Sequence, residues 1–107
     1  MSNNPEDLKL LTLAKATQAR SNSTSAAALR DNTGRTYVAV PVESGDFQID
    51  SLLAVLVVAK ASGITGIEAI VIAGEVAPVS SIAIIRKEDS AVKLFAITDA
   101  DDLVAIE

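Results

Sequence analysis

Residues 50–63 read Asp-Ser-Leu-Leu-Ala-Val-Leu-Val-Val-Ala-Lys-Ala-Ser-Gly, and no side chain from Leu52 to Ala59 is polar. Asp50 or Ser51 can cap the start of a helix, because a short polar side chain accepts hydrogen bonds from the first free backbone N–H groups. Gly63 can end the helix, since glycine takes a left-handed conformation at little steric cost. A helix that is apolar on nearly every face needs cover on nearly every face. We therefore expect the rest of the chain, or a second copy of it, to surround this helix.

Length and composition describe a small domain with an aliphatic core. The 107 residues have the length of one domain, and we expect residues 1–107 to form it. A chain of this size buries about 65% of the surface that its unfolded form exposes. Half of the residues are hydrophobic, and the few aromatic side chains are Tyr37, Phe47 and Phe95. We therefore expect the core to consist of Ala, Val, Ile and Leu.

Charge and hydropathy argue against two classes of partner. The net charge is −5, whereas a protein that binds the phosphate backbone needs a positive surface, so we expect no nucleic acid. The apolar run Leu52–Ala59 is far shorter than the ~18 residues that cross a bilayer, so we expect no membrane association. The first residues, Met-Ser-Asn-Asn-Pro-Glu-Asp, are polar and acidic, unlike a signal peptide. From these features we expect a cytoplasmic protein.

The chain contains no cysteine and no histidine. It therefore lacks the thiolate and imidazole ligands from which most protein zinc sites are built. Nucleophilic sites made of Cys–His or Ser–His pairs are excluded for the same reason. A metal would have to rest on carboxylates, which suit Mg, Ca or Mn better than zinc. We expect no metal site and no other cofactor.

The first half of the sequence predicts a helix and a hairpin before the apolar helix. Asn4-Pro5 is typical of a helix start, and Glu6 and Asp7 suit the positive end of the helix dipole. Asp31-Asn32-Thr33-Gly34 indicates a hairpin turn. In chain order we expect a helix over 5–19, strands over 25–30 and 35–42, and a loop over 43–49.

The second half predicts strands that alternate with short helices. A β-branched, uninterrupted apolar run is typical of a strand buried on both faces. Ser80 or Ser81 can cap a short helix, although the isoleucines that follow also favour a strand. Thr98-Asp99 indicates the start of a final helical turn. In chain order we expect a strand over 66–74, a loop over 75–79, a helix or strand over 82–89, a strand over 91–97 and a helical turn over 98–104. Such an alternation predicts a layered α/β domain.

Several local motifs, taken in order, resemble those of one protein family. Ser21-Asn22, Ala26-Ala27-Ala28-Leu29 and Gly34 resemble its Ser-Asn-Phe-x-Val-Gly-Ala-Ala-Leu motif and its Asp-Gly hairpin. Val40-Pro41-Val42-Glu43-Ser44 resembles Val-Asn-Val-Glu-Asn, and residues 78–86 resemble Pro-Val-Ser-Pro-Cys-Gly-x-Cys-Arg. The chain thus resembles the cytidine deaminases, over about residues 7–97. The resemblance implies a three-layer α-β-α sandwich with a small mixed sheet.

The chemical groups of that family are missing from their positions in this chain. Zinc deaminases take one ligand from the first helix, a catalytic glutamate two residues later and two cysteines from the second motif. Without gaps, these four positions fall on Leu52, Ala54, Ile82 and Ile85. Aliphatic side chains there can fill the volume of a metal site with apolar packing. We therefore expect Leu52, Ile82 and Ile85 to lie together in the core.

A few polar residues remain as candidate site residues. The resemblance retains Glu43, whose counterpart in the family binds the ribose, although a solvated loop carboxylate or a cap is an alternative. Arg86 keeps the place of the arginine after the second cysteine, so it either binds an anion or forms a surface ion pair. Asp99, Asp101 and Asp102 suit either a divalent cation or the start of a helix.

The missing groups predict a protein that is not an enzyme. The first interpretation is a catalytically inactive cytidine deaminase-like protein that acts as an oligomeric scaffold or regulator through protein contacts. We expect a homo-oligomer, a dimer or a tetramer, with the apolar helix at or beside the interface. The alternative is a nucleoside-binding module with a residual pocket near Glu43. A third interpretation is an enzyme with unrelated chemistry.

Overall fold

Three helices and seven strands make up the computed structural model, which describes residues 4–107. The helices are α1 (Pro5–Ser21), α2 (Ser51–Ala61) and α3 (Val79–Glu88). The strands are β1 (Ser25–Asp31), β2 (Thr36–Ala39), β3 (Val42–Ser44), β4 (Phe47–Ile49), β5 (Ile67–Gly74), β6 (Lys93–Ile97) and β7 (Leu103–Ala105). Five strands form one sheet in the order β2-β1-β5-β6-β7, and β3 pairs with β4 in a separate hairpin. The sheet is mixed, because β5 and β6 are parallel while its other neighbours are antiparallel.

Alternate residues of the two central strands face different helices. Leu29 of β1 and Ile70 of β5 belong to a core cluster with α2 and α3. Ala28 of β1 and Val71 of β5 belong to a second cluster with α1. Because both faces are covered, β1 is buried along its whole length and β5 along most of it. The predicted three-layer α-β-α sandwich with a mixed sheet is confirmed.

The carboxylate of Asp50 fixes the start of α2. Its Oδ1 accepts hydrogen bonds from the backbone N–H of Leu52 at 3.0 Å and of Leu53 at 3.1 Å, as the capping pattern predicts. Further along the helix, Val57 and Val58 are 57% and 41% exposed. One side of this almost wholly apolar helix is thus left uncovered by its own chain.

The segment over 82–89, for which helix and strand were both open, lies in α3. The helix begins at Val79, directly after Pro78, whose fixed φ suits the residue before a helix. Ile85 is fully buried against the sheet, whereas Ile84 is exposed. The segment is therefore helical, because burial of one helix face outweighs the β propensity of the isoleucines.

Three other segments differ from the expectation. Residues 35–42, expected as one strand, contain β2 over Thr36–Ala39 and the first residue of β3, Val42. Residues 43–49, expected as a loop, lie for the most part in the β3–β4 hairpin. Residues 98–104, expected as a helical turn, form a tight turn and the start of the edge strand β7. Thr98 Oγ1 accepts from the N–H of Asp102 at 3.1 Å, and the N–H of Thr98 donates to the carbonyl of Asp102 at 2.8 Å. The threonine that indicated a helix cap therefore closes a turn between antiparallel strands.

No helix within residues 4–107 is long and apolar enough to cross a membrane. The expectation of a cytoplasmic protein drew on the first seven residues, of which Met1, Ser2 and Asn3 lie outside the described part of the chain. That location stays a prediction.

A buried ion pair lies between α1 and the sheet. Nη2 of Arg30 in β1 donates to Oδ1 of Asp7 in α1 at 2.8 Å, and the two side chains are only 4% and 1% exposed. Nε of Arg30 donates to the half-exposed Glu68 of β5. Burial lowers the pKa of Arg30, but the hydrogen bonds and charges of Asp7 and Glu68 outweigh it and raise the pKa, so the guanidinium stays charged.

The Asp7–Arg30 pair predicts a large loss of stability when one partner is removed. Breaking a buried ion pair leaves an uncompensated charge, so Asp7→Ala should lower the free energy of unfolding in urea by about 3–5 kcal/mol. Glu6→Ala is the matched control, because Glu6 is exposed and pairs with exposed Lys9 at 3.1 Å. Its cost should stay below about 1 kcal/mol. Equal costs for the two variants would contradict the assignment.

A second buried carboxylate organises the turn between β1 and β2. Oδ1 of Asp31 accepts from the hydroxyl of Thr33 at 2.7 Å and from the backbone N–H groups of Thr33 and Arg35 at 2.9 Å each. Burial raises the pKa of Asp31, but these hydrogen bonds and the charge of Arg35 outweigh it, so the pKa lies below its ordinary value. The predicted hairpin turn is therefore confirmed, with an ionised aspartate at its base.

The lowered pKa of Asp31 predicts a specific loss of stability in acid. A carboxylate whose pKa is lower in the folded state stabilises the fold above its unfolded pKa of about 3.9, and this contribution is lost as the pH falls through the folded value. Asp31→Asn should therefore have a lower urea midpoint than the wild type at neutral pH, and the gap should narrow in acid. Asp46→Asn, in the exposed turn of the β3–β4 hairpin, is the control and should show no gap. A constant gap for Asp31→Asn would contradict this account.

Candidate functional site

A cleft of about 440 Å³ lies at the end of the sheet where β1 begins and β5 ends. Four parts of the chain line it: residues 24–25 at the start of β1, residues 41–43 and 48–49 of the β3–β4 hairpin region, residues 50–51 at the start of α2, and residues 75–78 between β5 and α3. This volume lies within the range of about 300–1,000 Å³ that small-molecule sites occupy. The cleft is thus the natural place to examine for a ligand.

Side-chain hydrogen bonds join the elements at the floor of the cleft. The hydroxyl of Ser25 in β1 donates to the hydroxyl of Ser51 in α2 at 3.0 Å, and both residues are buried. The hydroxyl of Ser81 in α3 donates to Oδ2 of Asp50 at 2.6 Å. The other oxygen of Asp50 caps α2. One carboxylate therefore holds the starts of two helices.

The β3–β4 hairpin forms a wall of the cleft. Glu43 of β3 and Gln48 of β4 are cross-strand partners, and both line the cleft with exposed side chains. Neighbouring residues on the same face of an antiparallel pair lie about 4.5–5.5 Å apart at their Cβ atoms. The hairpin thus presents a carboxylate and an amide side by side.

All charged side chains that line the cleft are negative. Glu43, Asp50 and Glu75 are acidic, and no lysine or arginine is among the lining residues. Carboxylates accept hydrogen bonds and repel anions. The arrangement suits a ligand rich in hydroxyl or amino donors, and it disfavours a phosphorylated one.

The side chains at the family's zinc position do not fit a zinc ion. Leu52 and Ile85 are fully buried in one core cluster, and Ile82 packs against it, as expected for a filled site. Ala54, at the position of the catalytic glutamate, is also buried. Zinc requires nitrogen, sulfur or carboxylate ligands, usually four of them. Within residues 4–107, no three His, Cys, Asp or Glu side chains are grouped so that they could hold a metal ion.

Of the candidate site residues, only Glu43 lies in the cleft. Arg86 lies outside the cleft and donates from Nη2 to the backbone carbonyl of Ile106, and its two expected roles stay predictions. The three aspartates 99, 101 and 102 lie in the turn between β6 and β7, where Asp101 pairs with Lys15 at 2.6 Å. They start no helix, and neither explanation given for them holds.

Sequence reasoning missed the Asp50–Ser81 hydrogen bond and the role of Gln48. The sequence marked Asp50 and Ser81 only as alternative caps for separate helices. Ser81 is 31 positions from Asp50, and only the packing of α3 beside α2 brings them together. The one available signal was that Asp50, as a cap of α2, uses one carboxylate oxygen and leaves the other available for a second partner.

The cytidine deaminase-like family model matches residues 3–101. Because the match spans most of the chain, the protein belongs to the cytidine deaminase-like family, and the predicted resemblance is confirmed. A comparison with curated proteins finds no match.

Solved structures give the same fold. The cytidine deaminase from Burkholderia pseudomallei superposes with a TM-score of 0.75 at 21% identity, over 100% of this chain and 93% of that one. The cytidine deaminase from Bacillus anthracis gives 0.74 at 14% identity, over 96% and 83% of the two chains. The enzyme from Mycobacterium leprae gives 0.68 at 17% identity, over 91% and 90%.

These comparisons contradict the prediction that the chain is not an enzyme. The matched family and the solved structures belong to an enzyme class. The prediction rested on the missing cysteine and histidine. Their absence removes thiolate and imidazole chemistry, but it does not exclude an enzyme, so the prediction was wrong in what it concluded.

Proposed function

We propose that this protein binds a nucleoside in the cleft between the β3–β4 hairpin and the starts of α2 and α3. The observation that carries the proposal is a cleft of nucleoside size with Glu43 and Gln48 side by side on one wall. Ribose hydroxyls donate hydrogen bonds to a carboxylate, and an amide both donates to and accepts from a base or sugar. The solved structures of the same fold are named as enzymes that act on cytidine.

The negative charge of the cleft favours a nucleoside over a nucleotide. Nucleotide sites generally present lysine, arginine or a helix start to the phosphate groups. Here the start of α2 is already capped by Asp50, and the lining carboxylates add negative charge. A nucleoside monophosphate should therefore bind more weakly than the nucleoside.

Titration with cytidine and uridine tests the proposal. Binding to the native state alone raises the melting temperature, so we expect a rise with either nucleoside and a smaller one with its monophosphate. Hydrogen bonds to a charged group contribute about 1.5–3 kcal/mol, so Glu43→Gln should weaken binding by roughly 10- to 100-fold.

The matched control for Glu43→Gln is Asp46→Asn, which removes a charge from the exposed turn of the same hairpin without changing a cleft residue. It should leave the nucleoside affinity unchanged. The proposal fails if neither nucleoside raises the melting temperature at millimolar concentration, or if Glu43→Gln binds as tightly as the wild type.

A second proposal concerns assembly, and an apolar groove of about 360 Å³ supports it. The groove is lined by residues 38–40 at and after β2, by Val42, Phe47 and Ile49 of the hairpin, and by Ala54, Val57 and Val58 of α2. No charged side chain lines it, and Phe47 is 57% exposed. Exposed apolar side chains that adjoin one another can mark a surface that another protein covers.

We place a second copy of this chain on the groove, because a closed symmetric pair covers the same apolar surface on both partners. The protein would then be a dimer, or a tetramer if a further contact forms. Such an assembly is also the form in which it would act as a scaffold or regulator through protein contacts.

Light scattering tests the assembly. The wild type should have at least the dimer mass at micromolar concentration, and Val57→Glu should shift it to the monomer mass, because a charge would be buried in the interface. Leu8→Glu is the control, since Leu8 is exposed on α1, across the sheet from α2. A wild type of monomer mass would contradict the proposal.

A further inference from the structure

We infer that the carboxylate of Asp50 fastens the starts of α2 and α3 together, next to the positions Leu52, Ile82 and Ile85 to which the family resemblance assigns the zinc ligands, and that this chain takes no zinc there. The inference is independent of the proposed nucleoside. It concerns what links the two helices that begin beside the cleft, where a metal would otherwise be the link.

The two oxygens of Asp50 have separate tasks. Oδ1 accepts from the backbone N–H groups of Leu52 and Leu53 and so belongs to α2. Oδ2 accepts from the hydroxyl of Ser81 at 2.6 Å and so belongs to α3. Since α3 has no side-chain hydrogen bond from its own cap residue, the contact with Asp50 is a polar attachment at its start.

An apolar contact continues the link below the hydrogen bond. Ser81 and Ile85 are four positions apart in α3, which places them on one face of the helix. Both are almost fully buried, and Ile85 belongs to the same core cluster as Leu52 in the first turn of α2. The two helices are therefore joined by a hydrogen bond at the cleft and by aliphatic packing beneath it.

The donor chemistry at this place does not suit zinc. One oxygen of Asp50 is engaged by two backbone N–H groups, and the neighbouring polar side chains are the neutral hydroxyls of Ser25, Ser51 and Ser81. A catalytic zinc site takes three protein ligands, from thiolate, imidazole or carboxylate groups, together with a water. Glu43 and Glu75 line the same cleft, but within residues 4–107 no three His, Cys, Asp or Glu side chains are grouped so that they could hold a metal ion.

This link has a physical consequence for the protein. A metal site is stabilised by bound metal and lost with chelators, because its binding energy is part of the folding energy. A link made of hydrogen bonds and aliphatic packing does not depend on metal concentration. The shape of the cleft should therefore be insensitive to zinc and to chelators, and sensitive to Asp50 and Ser81.

A double-mutant cycle tests the hydrogen bond. Serine is also a good N-cap residue, but its side chain is shorter, so Asp50→Ser keeps a cap on α2 and loses the reach to Ser81. Ser81→Ala should lower the urea midpoint in the wild type and leave it unchanged in Asp50→Ser, because the partner is already gone. Ser80→Ala, at an exposed neighbouring position of α3, should have no effect in either background. Additive effects of Asp50→Ser and Ser81→Ala overturn the inference.

Hydrogen exchange keeps the test decisive if Asp50→Ser does not fold. In Ser81→Ala alone, amide exchange should become faster in the first turns of α2 and α3 and stay unchanged in α1. Unchanged exchange at the starts of both helices overturns the inference.

Zinc binding is tested with the wild-type protein and zinc chloride. The melting temperature should be the same with zinc and with a chelator, and elemental analysis after dialysis should find no zinc above that of the buffer. One retained equivalent of zinc per chain, or a fall in melting temperature with the chelator, overturns the inference.

Discussion

The antiparallel pairing of β1 with β5 decides where every other element lies. In this register Leu29 faces Ile70 and Ala28 faces Val71, and the two pairs point to opposite sides of the sheet. One side receives α1, and the other receives α2 and α3. Both sides of the sheet must be apolar or compensated, because two helix layers exclude water from them. Arg30 follows Leu29 on the side of α1, and the buried Asp7 supplies the compensation.

The same pairing also sets the end of the sheet at which the cleft opens. Ser25 at the start of β1 pairs with Gly74 at the end of β5. Gly74 has φ +86, and a Cβ atom there would lie 2.2 Å from the carbonyl oxygen of Thr24. Only glycine allows this close approach. The chain can therefore leave β5 beside the start of β1 and run on to α3, which brings Ser81 to Asp50.

The sequence alone could predict the features that are encoded locally. The cap of α2, the turn at Asp31 and the buried strand β5 each have a signal within a few residues, and the order of the motifs indicated the family. The β3–β4 hairpin was missed because its strands are short and exposed, with no alternation of apolar and polar residues. The final turn was missed because Thr98 suits a helix cap and a tight turn equally well.

The absence of cysteine and histidine is informative about the buried positions that the resemblance assigns to zinc ligands. It is uninformative about the cleft beside them. At the positions that the resemblance assigns to zinc ligands, Leu52 and Ile85 are buried in one core cluster. The cleft is open and is lined by three carboxylates and by the β3–β4 hairpin, and none of these depends on a metal ligand. The absence of cysteine and histidine bears on the core positions alone, and it was wrong to conclude from it that the chain is not an enzyme. The core positions and the cleft are separate parts of the structure. Aliphatic packing joins α2 and α3 in the core, while the polar side chains that line the cleft are free to contact a ligand.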